Sequence, residues 1–300
     1  MSITAQLQKP QSFLSRRVYF VPTQANCLLV EKLREFAPTN ELEFIKLLLP
    51  SPIEQLRTGI RNDNFYLEVR KRREVFEDLI LAVEKINIEN ATLIWGDGSM
   101  HHLSYYFDLR EGIDRIMKVN IDGHEDFGMG KQIHCGNHMR FSHERKKYLG
   151  VTMLAQNKMI TVVRGEPKVE KELMPRKEIF ALRNMSHLTI DLDAITSFPA
   201  IAQWINDKGI SIARVLRIIY DLKKATALTR LDLGGLVEDI PGFSVLSHPQ
   251  TVDNPEFSVA EARKFAVDKG TETLPKNTID QIMTFTVACY YKILKAAIFD

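Results

Sequence analysis

With 300 residues, 45% of them hydrophobic and 26% charged, the chain is long enough for one large α/β domain with a substantial core, or for two small ones. Forty basic against thirty-eight acidic side chains leave a net charge of +2, a balance that argues for neither a nucleic-acid nor a membrane partner. Cys27, Cys135 and Cys289 are too few and too scattered for a disulfide framework or a zinc knuckle, Met1–Gln11 is polar with no leader-like apolar stretch, and no apolar run reaches membrane-spanning length, so the chain reads as soluble and cytoplasmic.

Strand-like and helix-like segments alternate along the chain. Arg17–Val21 reads as a strand, followed by helices near Leu28–Phe36 and Glu41–Leu48. Val69, Phe76, Leu79, Ile80 and Val83 recur at helical spacing and predict a long helix over Phe65–Ile86, whose run Arg70–Arg73 reads as a solvated face. Strand Thr92–Trp95, a helix from about Met100, strand Arg115–Ile121, a helix near His143–Leu149 and strands Met159–Val163 and His187–Asp191 follow. Ile212–Lys224 reads as a helix, Ala227–Leu231 as a strand, and Ser258–Asp268 and Thr278–Ala297 as helices, while Gly165–Lys177 and Pro241–Pro255 read as surface loops. This order predicts a single α/β domain over residues 1–300: three α-β-α layers around a largely parallel sheet.

In open parallel sheets ligands bind beyond the carboxyl ends of the strands. Three chemically loaded segments fall at such ends: Gly96-Asp97-Gly98-Ser99, Asp122-Gly123-His124-Glu125-Asp126 and Asp191-Leu192-Asp193. If the chain stays extended beyond the strand, residues 122, 124 and 126 share one side, with Glu125 pointing away. The same period aims Asp191 and Asp193 together. Carboxylates and an imidazole, without thiolate, suit manganese, iron or zinc. Four aspartates and a histidine exceed the needs of one ion and suit two ions bridged by carboxylates, an arrangement that generates hydroxide from water near neutral pH.

These residues resemble the arginase/agmatinase (ureohydrolase) superfamily along nearly the whole chain. Trp95-Gly96-Asp97-Gly98-Ser99 is similar to its Gly-Gly-Asp-His-Ser motif, Asp122–Asp126 to Asp-Ala-His-x-Asp, and Thr189–Asp193 to Ser-x-Asp-x-Asp. Gly136-Asn137-His138 resembles its substrate loop Gly-Asn-x-His, Glu238-Asp239-Ile240-Pro241 its Glu-Val-Asn-Pro segment, and Val287–Tyr290 its last helix. The resemblance implies an arginase-like fold and two Mn2+ ions, with Asp122, His124, Asp126, Asp191 and Asp193 as ligands; where Gly98 stands in place of a further ligand, one ion would be weakly held unless another side chain replaces it. It implies Asp126, His138 and Glu238 as catalytic residues: Asp126 orienting the nucleophile, His138 relaying a proton, and Glu238 pairing with a guanidinium. Asn137, with Glu238, would bind substrate.

The sequence also departs from the family. Gly98 stands where a histidine ligand is expected, and either His101 or His102, three and four residues on, is placed to reach back. Thr196-Ser197, Ala200–Trp204, Asp232–Leu236 and Cys135–Phe141 differ in segments that shape the substrate end of the pocket. With that altered rim the chain looks most like atypical arginases that convert arginine side chains in peptides to ornithine, releasing urea. Agmatine, guanidino acids, formiminoglutamate or acetylated amines as substrates, and a pseudoenzyme binding module, stay open. So do the choice between peptide and free arginine and the presence of a homo-oligomer.

Overall fold

The computed structural model describes residues 13–38, 40–48, 81, 90–96, 100–108, 116–128, 133–146, 149–154, 158–163, 166–170, 185–195, 210–236 and 276–300. Its strands are β1 (Arg17–Phe20), β2 (Glu43–Lys46), β3 (Thr92–Ile94), β4 (Ile116–Asp122), β5 (Leu149–Leu154), β6 (Lys158–Val163), β7 (Glu166–Glu170), β8 (Met185–Asp191) and β9 (Ala227–Gly234). Its helices are α1 (Gln24–Phe36), α2 (Leu103–Asp108), α3 (His138–Lys146), α4 (Ile212–Ala225) and α5 (Lys276–Ile298). No helix among the described residues is long and apolar enough to cross a membrane.

The strands form one sheet in the order β2-β1-β3-β9-β8-β4-β5-β6-β7. Neighbours from β2 through β5 are parallel, whereas β6 and β7 run antiparallel at one edge. The chain leaves β3 for β4, and β9 and β8 later fill the space between them. The centre of the sheet, where strand order departs from chain order, is therefore built from four separate stretches of sequence.

Period-2 alternation gives the central strands two unlike faces. Met117, Val119 and Ile121, with Leu188, Ile190, Leu231 and Leu233, join the main apolar core. α1, α4 and α5 cover this side, with α5 packed against both other helices. Local signals start those helices: Thr23 Oγ1 accepts the Asn26 N–H at 3.1 Å, and Ser211 Oγ accepts that of Arg214 at 3.3 Å, each satisfying a first-turn donor.

The opposite face carries Lys118, Asn120, Asp122, His187, Thr189, Asp191, Arg230 and Asp232, all buried. α2 and α3 reach it through polar groups. Asp108 of α2 accepts from Lys118 Nζ at 2.8 Å and from Ser142 Oγ of α3 at 2.8 Å. Its other oxygen takes Arg230 Nη2 and lies 3.0 Å from His187 Nδ1, while His187 Nε2 is 2.7 Å from Asp232. Buried charge is tolerated here because each member of the network faces an opposite charge or a hydrogen-bonding partner.

Two expectations need correction. Residues 43–46 form an edge strand rather than part of a helix over Glu41–Leu48, because they pair in register with β1. Residues 166–170, within a stretch read as a loop, form β7 against β6. The sheet is largely parallel, as expected, with β6 and β7 antiparallel at one edge. The expected helices over Phe65–Ile86 (apart from helical residue 81) and Ser258–Asp268, and the loop Pro241–Pro255, lie outside the described residues.

Candidate metal centre

Asp122 closes β4 and Asp191 closes β8, so adjacent parallel strands deliver two carboxylates to the same end of the sheet. Beyond β8 the chain turns at once into a 3₁₀ turn, Leu192–Ala194, capped by Asp191, whose Oδ1 accepts the Asp193 N–H at 3.2 Å. Asp193 Oδ1 in turn accepts the Gly123 N–H at 2.8 Å, which ties the two strand ends together. A Cβ at residue 123 would lie 3.0 Å from that oxygen, so glycine permits the close approach.

Past Asp122 the chain does not stay extended. Asp126 has φ +54, and its carbonyl accepts the N–H groups of Met139 at 3.2 Å and Arg140 at 3.4 Å. The first turn of α3 thus fixes a left-handed aspartate. The expected co-facing of 122, 124 and 126 is replaced by a fold-over that still brings all three to the centre, Asp122 and Asp126 buried and His124 half-exposed.

Two overlapping donor groups result. One gathers His101, Asp122, Asp126 and His138; the other gathers Asp122, His124 and Asp193. His101 Nδ1 lies 2.8 Å from Asp122 Oδ2, 3.3 Å from Asp126 Oδ2 and 3.7 Å from Asp191 Oδ2. His124 Nδ1 lies 2.9 Å from Asp193 Oδ2 and 3.5 Å from Asp122 Oδ1. Asp122 is common to both groups, the placement of a bridging ligand. His101, one of two alternatives in the sequence, sits in the cluster. His102 is also buried but belongs to neither group.

The electrostatics fit cations. Burial, reinforced by the charge of Asp122, lifts the Asp126 carboxyl well above the usual range. Burial together with Asp193 and Asp122 does the same for Asp191, and burial with Asp122 raises Asp193. Asp122 goes the other way: burial is outweighed by hydrogen bonds from His101 and His124, which hold it well below the usual range. His124 is raised to about 11 by its hydrogen bonds to Asp122 and Asp193. Burial opposes a charged His101, but hydrogen bonds to Asp122 and Asp126 lift it to about 10. A buried cage that holds protons this tightly has an excess of negative charge, which two divalent ions would offset.

A cavity of about 470 Å³ opens above the cluster, with His101, Asp122, Asp126 and Asp191 at its base and His124, Glu125, Phe127 and Cys135 around it. Glu125, expected to point away, is part of that wall. His138 is fully buried behind the base, its Nε2 2.7 Å from Asp126 Oδ2. Burial and the neighbouring His101 charge push its pKa well below the ordinary value, which favours the neutral ring. Asn137 is fully buried as well; its Oδ1 accepts the His134 N–H at 2.8 Å and closes the turn that carries Cys135 and Gly136. Glu238 and Gly98 lie outside the described residues.

Fold and cluster together define a three-layer α/β protein with a candidate dimetal centre at the carboxyl ends of its central strands. Among solved structures, the chain is similar to Entamoeba histolytica arginase in complex with L-ornithine (TM-score 0.47, 13% identity, 97% of this chain and 100% of that one). It is also similar to proclavaminate amidino hydrolase from Streptomyces clavuligerus (0.48, 11%, 97% and 95%) and to formimidoylglutamase from Bacillus subtilis (0.48, 8%, 94% and 89%). No family model matches the chain, and no curated protein matches it by sequence.

Proposed function

We propose that the protein is a metal-dependent amidinohydrolase of the ureohydrolase type. It would add water to the guanidinium group of an arginine side chain and release urea, leaving ornithine. The observation that carries this reading is the merger, at one sheet end, of three buried carboxylates and three imidazoles into two overlapping donor groups, with Asp191 beside them, beneath a cavity of about 470 Å³. That volume is of small-ligand size, and its acidic base suits a cationic head. The motif resemblance supplies the substrate class, and peptidyl arginine is the member of that class put forward.

Asp122, Asp126 and Asp191 would hold one Mn2+, and Asp122, His124, Asp191 and Asp193 the other. When bound, such a pair supplies Lewis acidity and a nucleophile at neutral pH. Asp126, pinned through its carbonyl to α3 and through Oδ2 to His138, orients the attacking water. His138, 2.7 Å from that carboxylate, is the proton relay. Glu238, two residues after buried Leu236, pairs with the guanidinium. The reaction balances: guanidinium and water give an alkylammonium and urea, the oxygen of water becoming the urea carbonyl, so both of its protons must reach the leaving nitrogen.

The test is incubation with Mn2+ and either free arginine or arginine-containing peptides, with mass spectrometry for ornithine and a urea assay. Ornithine in the peptide alone is the expected result. Asp122→Ala and Asp193→Ala are expected to abolish it with the fold retained by circular dichroism. Undiminished urea release from chelated protein would overturn the mechanism, and a preference for acetyl-lysine would overturn the substrate class.

A further inference from the structure

Glu125 lies between two residues whose positions are fixed. On one side, the His124 N–H donates to Asp122 Oδ1 at 2.7 Å, and the His124 ring meets Asp193. On the other, the Asp126 carbonyl accepts two N–H groups from the first turn of α3. Beyond Phe127, the Gly128 N–H donates to the Gly136 carbonyl at 2.9 Å. A Cβ at residue 128 would come within 2.7 Å of that oxygen, so glycine lets the loop after β4 close onto the turn at Cys135. The backbone carrying Glu125 is thus held from both ends, and a charge presented in that way costs an incoming ligand little reorganisation.

The Glu125 side chain is exposed in the wall of the cavity, whereas the aspartates at the base are buried, so its charge stands at the solvent end. It makes no hydrogen bond or ion pair among the described residues. The rest of the described lining is the donor cluster and four uncharged residues, Phe127, Gly128, Cys135 and Gly136. Two divalent ions would balance the four aspartates of the centre, which leaves Glu125 as a surplus negative charge facing whatever enters.

We infer that Glu125 selects the substrate by the charge beside the reacting group: the arginine to be processed neighbours a second cationic side chain in the peptide, and an anionic neighbour is disfavoured. The reacting guanidinium enters toward the buried carboxylates, while the neighbouring cation stays at the solvent end against Glu125. Charges at a rim act mainly on encounter and specificity. The chain carries a net charge of +2, so its overall field would repel a basic peptide slightly, and a preference for one must come from local charge.

This inference rests on the amidinohydrolase reading above, and the experiment separates the two. Blocked peptides that differ only in the residue beside arginine (lysine, glutamine or glutamate) are incubated with Mn2+-loaded protein, with urea and peptide mass as readouts. Their binding is measured in parallel by calorimetry. The lysine peptide is expected to have the highest kcat/KM and the glutamate peptide the lowest. An exposed charge pair contributes about 2- to 5-fold, so one attracted and one repelled peptide are expected to differ by about 5- to 25-fold. The difference is expected to lie in KM and to shrink in about 0.5 M salt. Glu125→Asp is expected to keep the order, Glu125→Gln to level it and Glu125→Lys to invert it. Ratios within each variant cancel any general loss of activity, and a purely structural role for Glu125 would not invert with its charge.

If wild type treats the three peptides alike, or if Glu125→Lys still prefers the lysine peptide, the inference fails and the amidinohydrolase reading stands. If no peptide releases urea, that reading fails and binding decides the inference. Tighter binding of the lysine peptide than of the glutamate peptide, inverted in Glu125→Lys, upholds charge selection. Equal or undetectable binding overturns it.

Discussion

Removing the charge of Asp108 is the sharpest test of how the polar face of the sheet is held together. Its carboxylate is fully buried and meets Lys118, Ser142, Arg230 and His187. Asp108→Asn keeps the shape but leaves Lys118 and Arg230 with Asp232 as the remaining carboxylate of the network; Arg230 Nε lies 3.3 Å from Asp232 Oδ1. Breaking a buried pair by removing one partner costs about 3–5 kcal/mol, a large part of the ~5–15 kcal/mol that holds a typical protein folded.

The cost is bounded because burial already lowers the Lys118 pKa against the opposing pull of Asp108, so without that partner the lysine sheds its proton instead of staying charged. With a urea slope of about 3 kcal/mol per M, the unfolding midpoint is expected to fall by about 1–1.7 M. Circular dichroism on chelated protein measures this without interference from bound metal. The double variant Asp108→Asn/Lys118→Met is expected to recover part of the loss, since an apolar replacement removes the stranded cation. A loss below about 1 kcal/mol for Asp108→Asn, or a double variant less stable than the single one, would refute the argument that charge pairing secures α2 to the sheet.

Two further outcomes concern the centre itself. Gly235 has φ +89, and a Cβ there would lie 2.0 Å from Asp191 Oδ1; Gly235→Ala is therefore expected to cost about 1–3 kcal/mol in backbone strain and to weaken Mn2+ binding by displacing a ligand. Calorimetry and metal titration check both, and an alanine variant with unchanged melting and affinity would contradict this geometry. His101 and His124, at about 10 and 11, must lose protons to bind cations, so Mn2+ affinity is expected to rise with pH by about tenfold per unit for each proton displaced. Titrations at pH 6.5, 7.5 and 8.5 (chosen on the order of one unit apart below those pKa values) read this directly, and a flat profile would count against it. In metal-free protein the sign reverses. Groups raised in the folded state contribute stability that is complete below their ordinary value of 6.5 and is lost as pH climbs through about 10 to 11, so the stripped protein is expected to melt lower at alkaline pH.

Much of this architecture was legible locally, and the failures have identifiable causes. Glu41–Leu48 combines helix-favouring Glu, Leu and Lys with apolar residues at 42, 45 and 48, yet four parallel pairings with β1 make residues 43–46 an edge strand. Pairing partners distant in sequence outweigh a local preference of a few tenths of a kcal/mol per residue. The strand at 166–170 was hidden for the same reason: Glu166–Glu170 contains a proline and charges that suit a loop, and an edge strand accepts both. For the site, the aspartate pairs at 122/126 and 191/193 were readable because a strand end followed by closely spaced carboxylates is a local pattern. His101 was readable only as one of two alternatives, because it lies three positions beyond the motif position and nothing local says which imidazole turns inward.

The sequence alone determined the alternation of β4, β8 and β9, and with it the fact that Lys118, Asn120 and Asp122 share a side with one another and not with Met117, Val119 and Ile121. It also placed the acidic pairs at strand ends. Alternation of this kind is equally the mark of a strand with one face in water, and only the tertiary structure showed that the polar face is buried beneath α2 and α3. The insertion of β9 and β8 between β3 and β4 likewise came from long-range pairing. That insertion brings residues 101, 122–126 and 191–193 to one point, where His101 faces the carboxylates. Local chemistry fixes which groups can hold a metal, but their convergence depends on strands far apart in the chain becoming neighbours.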